Sequence, residues 1–139
     1  MSASKDVRDY LLGSGALSAL VAIYDAGPAI FDGRFPGGFK VGAEPALVID
    51  VPRRVEPDND FSVRGRSLYL NIRLYRRIDN SDPGPGNLDL AADLIADLFD
   101  ARSFDIGSTH YQSTVAGPVD APTDDKSLIG RLIQLSLIY

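Results

Sequence analysis

The chain has 139 residues, 45% of them hydrophobic, and carries a net charge of -5 with an isoelectric point near 4.7. That length and apolar content predict a single domain with its own core. The acidic balance argues against a protein whose main task is gripping phosphate backbones. The absence of cysteine excludes a disulfide framework, a thiolate metal site and a cysteine nucleophile, and fits a reducing compartment. No apolar run reaches the roughly 18 residues of a membrane span, and the start of the chain lacks the charged-then-apolar pattern of a secretory signal, so neither a membrane partner nor secretion is expected.

In chain order, Ser4 is positioned to cap a helix running to about Leu12, with Val7, Tyr10 and Leu11 on one face and Gly13 as its stop. Ser14 is placed to cap again, and Leu17, Leu20, Val21 and Tyr24 recur at the three- and four-residue spacings of a core-facing stripe. Residues 25–45 are dense in glycine and proline and predict a long connection. Phe31, Phe35 and Phe39 recur every four residues there. With glycines between them they are expected to tuck separately into the edge of the core rather than to line a helix or a ligand pocket. ALVIDV, bounded by Pro45 and Pro52, predicts a strand. The stretch RRVEPDNDFSVRGR then has turn chemistry at Pro57, Asp58 and Asn59 and predicts a protruding hairpin leading antiparallel into the next strand.

That next strand, SLYLNIRLYRRIDN, is the clearest alternation in the sequence. Leu68, Leu70, Ile72 and Leu74 fall on one side, and Tyr69, Asn71, Arg73 and Tyr75 on the other. One face is core and the other must meet water, another layer of the protein or another molecule. Residues 53–77 hold seven arginines against three acids, a local balance of +4 that leaves -9 for the remainder. Such a face is either a solvated sheet surface or a basic patch that meets an acidic patch on another copy.

NSDPGPGN predicts a mobile connector, with Asn87 as the cap of the helix LDLAADLIADLFDA. On a helical wheel Leu88, Leu90, Ala91, Leu94, Ile95, Leu98 and Phe99 share a broad apolar arc, and Asp89, Asp93, Asp97 and Asp100 form a separate stripe. Like charges at i and i+4 cost roughly 0.2–0.5 kcal/mol each, so burial of the other face must hold this helix together. The stripe is a solvated face or a contact for a basic partner, and a poor metal site, because hard-cation sites draw oxygens from loops or several elements. GSTHYQST predicts a further strand, AGPVDAPTDDK a loop, and GRLIQLSLIY a last strand. Ile133, Leu135, Leu137 and Tyr139 lie on one side of that strand, which is apolar enough to be central or shielded. The predicted class is α+β, a mainly antiparallel sheet with helices packed on one side.

The search for chemistry returns little. His110 is the sole histidine and has no second ligand nearby in sequence; no glycine pattern makes a phosphate loop; Asp124, Asp125 and Lys126 read as a charged turn. No catalytic residue, cofactor or metal is indicated.

The order of segments carries more. ALSALVAIYDAGPAIFDGRFPGGFKVGAEPALVI, then GRSLYLNIRLYRR, then NLDLAADLIADLF, then a polar strand with an acidic loop and the closing GRLIQLSLIY resembles the small tail-terminator, or tail-completion, proteins of long-tailed bacteriophages and related gene transfer agents. Pro45, Leu70 to Tyr75, Leu88 to Phe99 and Tyr139 fill that family's positions, while the absence of tryptophan and the long Gly27–Gly42 connection depart from its pattern.

The resemblance implies a non-enzymatic virion protein, assembled in the host cytoplasm and located at the neck. It implies a ring of six copies that caps the tail tube, stops its growth and docks the head-side connector, with DNA passing through the channel. On that reading Arg73, Tyr75 and Arg76 are expected to meet an acidic surface of the next subunit, with Asp93 and Asp97 as the partners. Alternatively Asp89, Asp93, Asp97 and Asp100 line the channel, where negative charge keeps DNA from sticking. Arg53, Arg54, Arg64 and Arg66, with the loop 79–87, are expected to contact the tube or connector. The rivals are another head–tail joining or minor tail component, and a small metal-dependent hydrolase using the aspartates.

Overall fold

The computed structural model describes residues 3–50, 53–55 and 67–139. Helix α1 (Ala3–Leu12) buries Val7 and Leu11 and stops at Gly13, whose N–H returns to the Tyr10 carbonyl at 3.2 Å. Ser4, expected as its cap, lies inside the helix and is buried. Ser14 does cap the next helix, its Oγ accepting from the Leu17 N–H at 3.2 Å. That helix, α2 (Gly15–Ser18), is one turn long. Leu17 and Val21 still reach the core, but the stripe expected to run on to Tyr24 ends. Asp25 and Ala26 take φ of 50° and 65° and turn the chain through a small hairpin of β1 (Ile23–Tyr24) and β2 (Gly27–Pro28), positive φ at both positions being the two-residue turn that suits strand twist.

The main sheet runs in the order β3 (Ile30–Asp32), β4 (Ala46–Ile49), β6 (Ser67–Arg77), β9 (Leu128–Ile138), β8 (Thr109–Ala121) and β7 (Arg102–Ile106), with β5 (Arg53–Val55) pairing the start of β6. β3 and β4 are parallel, and the other described pairs are antiparallel. The predicted α+β class with an antiparallel sheet is therefore the observed one. β6 and β9 pair along their whole lengths, from Ser67 opposite Ile138 to Arg77 opposite Leu128, so the apolar last strand is central, one of the two placements its composition allowed.

Period two sends Leu68, Leu70, Ile72 and Leu74 of β6, with Ile133, Leu135 and Leu137 of β9, to one face. There they meet α1 and the long helix α3 (Asn87–Phe99) in one hydrophobic core. Each fully buried leucine or isoleucine contributes about 1.5–3 kcal/mol, which is what holds a helix with an acidic stripe in place.

Three differences from expectation have physical causes. β7 was not foreseen. It follows α3 across a two-residue link in which Ala101 takes φ of 49°, and it joins β8 through Gly107 and Ser108, so two strands stand where one was expected and β8 continues to Ala121 through the predicted loop. Asn87 is the first residue of α3 rather than its cap. Its amide donates to Glu44 Oε2 at 3.0 Å, and the cap position belongs to Gly86 at φ of 54°, where a Cβ would lie 3.2 Å from the Arg76 guanidinium. Finally, α3 buries Leu88, Ala91, Ala92, Ile95 and Phe99, whereas Leu90 is 57% exposed, so the apolar arc is centred on the small alanines and not on the leucines.

Candidate functional site

The outer face of the sheet, away from the helices, is built by the odd residues of β6 and the even residues of β9. Tyr69, Asn71, Arg73 and Tyr75 stand opposite Ser136, Gln134, Leu132 and Gly130. Exposed Thr114 and Gln112 of β8 continue it. Over this central area the charge is that of Arg73, which is paired with Asp50, and exposed Tyr69, Val119 and Ile138 add apolar surface to it.

One end of the face is aromatic. Phe31, Phe35 and Phe39 do not tuck separately into the core edge as expected. They contact one another, with ring centroids 5.0–5.7 Å apart, and extend to Tyr24 and Tyr75. The glycines between them let the loop fold so that spacing in sequence becomes contact in space. Tyr75 lies flat across Gly130, where a Cβ would stand 2.7 Å from the ring. This position requires glycine for close approach rather than for an unusual φ.

Arg73 borders this plate and is already partnered. Its Nη2 and Nε donate to Asp50 Oδ1 at 2.7 and 3.1 Å, Nη1 donates to the Tyr75 hydroxyl at 3.2 Å, and the guanidinium carbon stands 5.9 Å from the Tyr75 ring centre. Burial alone would lower its pKa, but the bonds to Asp50 and Tyr75 outweigh that and the net direction is up.

Arg76, expected beside Arg73 on the exposed face, is a correction. It shares the inward side with Leu74 and is 1% exposed. Its Nε donates to the Ala43 carbonyl at 2.9 Å, Nη1 to the Gly84 carbonyl and Nη2 to Asp82, so its donors are spent within the chain. It is a tie between strand and loop, with no surface to offer a neighbour. The loop expected to be a mobile connector is bound by that tie and by Asp79, whose carboxylate accepts from the Ser81 hydroxyl and from the N–H groups of Ser81 and Asp82. Those bonds, the Ser81 hydroxyl first, hold the Asp79 carboxyl below its usual range.

The aspartate stripe divides. Asp89 accepts from Arg131 Nε at 2.7 Å, and Arg131 also reaches Asp120 at 3.2 Å. Asp93, Asp97 and Asp100 are exposed and form no ion pair with a described residue. With Val115, Gly117 and Pro118 of β8 they border an open cleft of about 440 Å³. Arg131 was not singled out from the sequence. The available signal was its odd position in a strand whose odd residues face the core, since a charge there needs a carboxylate.

Arg53 and Arg54 lie in β5 opposite Tyr69 and Leu68. Their side chains, and Arg64 and Arg66, fall outside the described residues, as does the turn expected at Pro57–Asn59. His110 is exposed and shares a 2.6 Å contact from Nδ1 to Asp105 Oδ1. Asp125 forms the charged turn, accepting from the Ser127 hydroxyl and N–H and standing 3.5 Å from Arg77, and its carboxyl is held below its usual range, chiefly by the Ser127 hydroxyl. Among the described residues no group of three or more His, Asp or Glu side chains is placed to hold a metal ion, and no helix is long and apolar enough to cross a membrane.

No family model matches the chain, and no curated protein matches it. Among solved structures, the chain is similar to one described as part of the virion of a native gene transfer agent particle, with a TM-score of 0.69 and 14% sequence identity over 99% of this chain and 96% of that one. At this identity the two chains share a fold, end to end.

Proposed function

We propose that this protein is a structural virion component that closes into a ring of about six copies at the head-proximal end of a tail tube, ends tube growth and joins the tail to the head connector. The observation that carries the reading is the end-to-end likeness in fold to a chain from a gene transfer agent virion, in which neither chain has a large part unmatched. The order of segments in the sequence supports the finer assignment.

The proposed division of labour follows from placement. The outer face around Tyr69, Asn71 and Gln134, with Tyr75 and the Arg73–Asp50 pair beside them, packs against the next subunit, because exposed Tyr69 and Ile138 offer apolar surface to bury and the amides and hydroxyls offer hydrogen bonds. Asp93, Asp97 and Asp100 face the channel. The competing pairing of Asp93 and Asp97 with Arg73 of a neighbour would have to compete with the Asp50 bonds that Arg73 already makes. The segment bearing Arg53, Arg54, Arg64 and Arg66, and the tied loop 79–87, are proposed to meet the tube and connector proteins.

Mass measurement of the purified chain over a concentration series, followed by mixing with tube protein and imaging of tube lengths, tests this reading. A closed oligomer and shortened or capped tubes are expected. A strict monomer that leaves tube growth unchanged would remove the terminator role. An oligomer that binds elsewhere on the particle would favour another head–tail joining or minor tail component, and metal-dependent hydrolysis lost on Asp93→Asn would favour the enzyme.

A further inference from the structure

Two helices end close together. α1 and α3 both lack a basic residue in their last turn, and the Tyr10 hydroxyl reaches the Leu98 carbonyl at 3.4 Å, so the negative ends of both helix dipoles converge. Between them opens a cleft of about 460 Å³ walled by Tyr10, Leu98 and Ile106, with Ser14 beside it and Asp9 and Asp105 at its mouth. Near this end Arg102 Nε donates to the Asp97 carbonyl at 3.3 Å, and His110 stands on Asp105. An apolar wall, an acidic rim and two carbonyl-bearing helix ends suit the aliphatic stem and charged head of an arginine or lysine.

Arg34 and Lys40 can supply such a side chain. Both are exposed, neither forms an ion pair with a described residue, and they stand on the punctuated loop after β3, at the opposite end of the sheet order from β7. Gly33 at φ of 89° and Gly38 at φ of 82° shape that loop. We propose that the cleft between the ends of α1 and α3 receives Arg34 or Lys40 from a second copy of this chain, making a head-to-tail contact. A heterologous contact of this kind closes into a ring when its rotation closes, and here it joins one end of the sheet to the other end of the next. The inference rests on the ring reading above and adds a second contact between neighbouring copies to the outer-face contact proposed there.

The natural absence of cysteine makes the test clean. Wild-type assembly is measured first, and then the variant Arg34→Cys, Ser14→Cys is oxidised at an assembling concentration. A ladder of disulfide-linked species ending at the closed oligomer is expected. In parallel, Asp9→Asn with Asp105→Asn should raise the concentration needed for assembly about tenfold or more, an effect that grows at low salt. Lys40→Cys in place of Arg34→Cys distinguishes the two anchors. A wild type that assembles while neither cysteine pair links copies, and while the Asp9/Asp105 variant assembles normally, overturns this inference and leaves the ring intact. A wild type that never assembles removes the ring itself.

Discussion

Replacing Arg76 by methionine separates a structural arginine from a contact arginine. Methionine keeps much of the volume but donates nothing, so the Ala43 and Gly84 carbonyls lose a charged donor. Bonds to charged groups are each worth about 1.5–3 kcal/mol. Ala43 is exposed and Gly84 half-buried, so water recovers part of the loss, and a net cost of about 2–4 kcal/mol is expected. Asp82 adds little, because its side chain is 59% exposed and readily hydrated once its partner is gone. Asp82→Asn, by contrast, leaves the buried Arg76 guanidinium with neutral acceptors only and should cost about 1–3 kcal/mol. Urea unfolding at pH 7 gives both values, and for a chain of this size the Arg76→Met loss corresponds to a fall in Tm of about 10 °C. Arg76→Met unfolding within about 0.5 kcal/mol of wild type, while weakening self-association, would refute the reasoning and return Arg76 to the subunit interface.

Three further outcomes are expected. Ile95→Ala on the buried side of α3 should cost about 2–5 kcal/mol, whereas Leu90→Asp should stay within about 0.5 kcal/mol for the isolated chain; similar losses at both positions would mean the helix is rotated from the orientation described. Gly130→Ala should cost about 1–3 kcal/mol and alter the near-ultraviolet dichroism of the tyrosines, because the Tyr75 ring must move off a new methyl group; an unchanged spectrum would deny the stacking. Tyr111 donates to Asp6 at 2.5 Å, and its pKa is raised, first by burial and then by that bond. The folded state thus keeps a proton that the unfolded chain loses near pH 10, so this group's stabilising contribution is complete below about pH 10 and declines above it. Tyr111→Phe should flatten the alkaline fall in unfolding free energy measured between pH 9 and 11, and an equally steep fall would refute the assignment.

The parts of the fold legible from sequence are those where a long element repeats one environment. β6 alternates from Leu68 to Tyr75, so a one-residue slip would expose its inward leucines and Ile72 together; β9, apolar on both sides, was legible as a strand fit for the middle of the sheet. α3 was legible as a helix, but its rotation was not. Counting leucines pulls the arc toward Leu90, whereas the buried side includes Ala91 and Ala92. Nothing local marks a small residue as part of the buried side. β7 is short, begins directly after a left-handed Ala101 and has two charged residues among its five, so it lacks the run a strand is read from; the Gly107–Ser108 dipeptide, a hairpin signal, was its one trace.

The candidate site follows the same division with a sharper lesson. Arg73 and Arg76 are three residues apart in a strand, and parity alone puts them on opposite faces. Chemistry argued the reverse, because an arginine is rarely placed inside. The structure reconciles the two: toward the end of β6 the inner face has left the hydrophobic core and meets the Ala43 and Gly84 carbonyls, where a guanidinium is the group that satisfies them. Period two therefore holds even where the polarity pattern breaks, and the break marks where the core stops. The same logic makes the phenylalanines of residues 31–39 unreadable one by one, since their contacts depend on Tyr75, more than thirty residues away. It also lowers the charge of the outer face: with Arg73 neutralised by Asp50 and Arg76 turned inward, a neighbouring molecule would meet one paired guanidinium among hydroxyls, amides, rings and Ile138. A contact of that kind should depend weakly on salt, whereas the cleft between the ends of α1 and α3 should depend on it strongly, so the ionic-strength profile of assembly distinguishes which of the two surfaces governs ring closure.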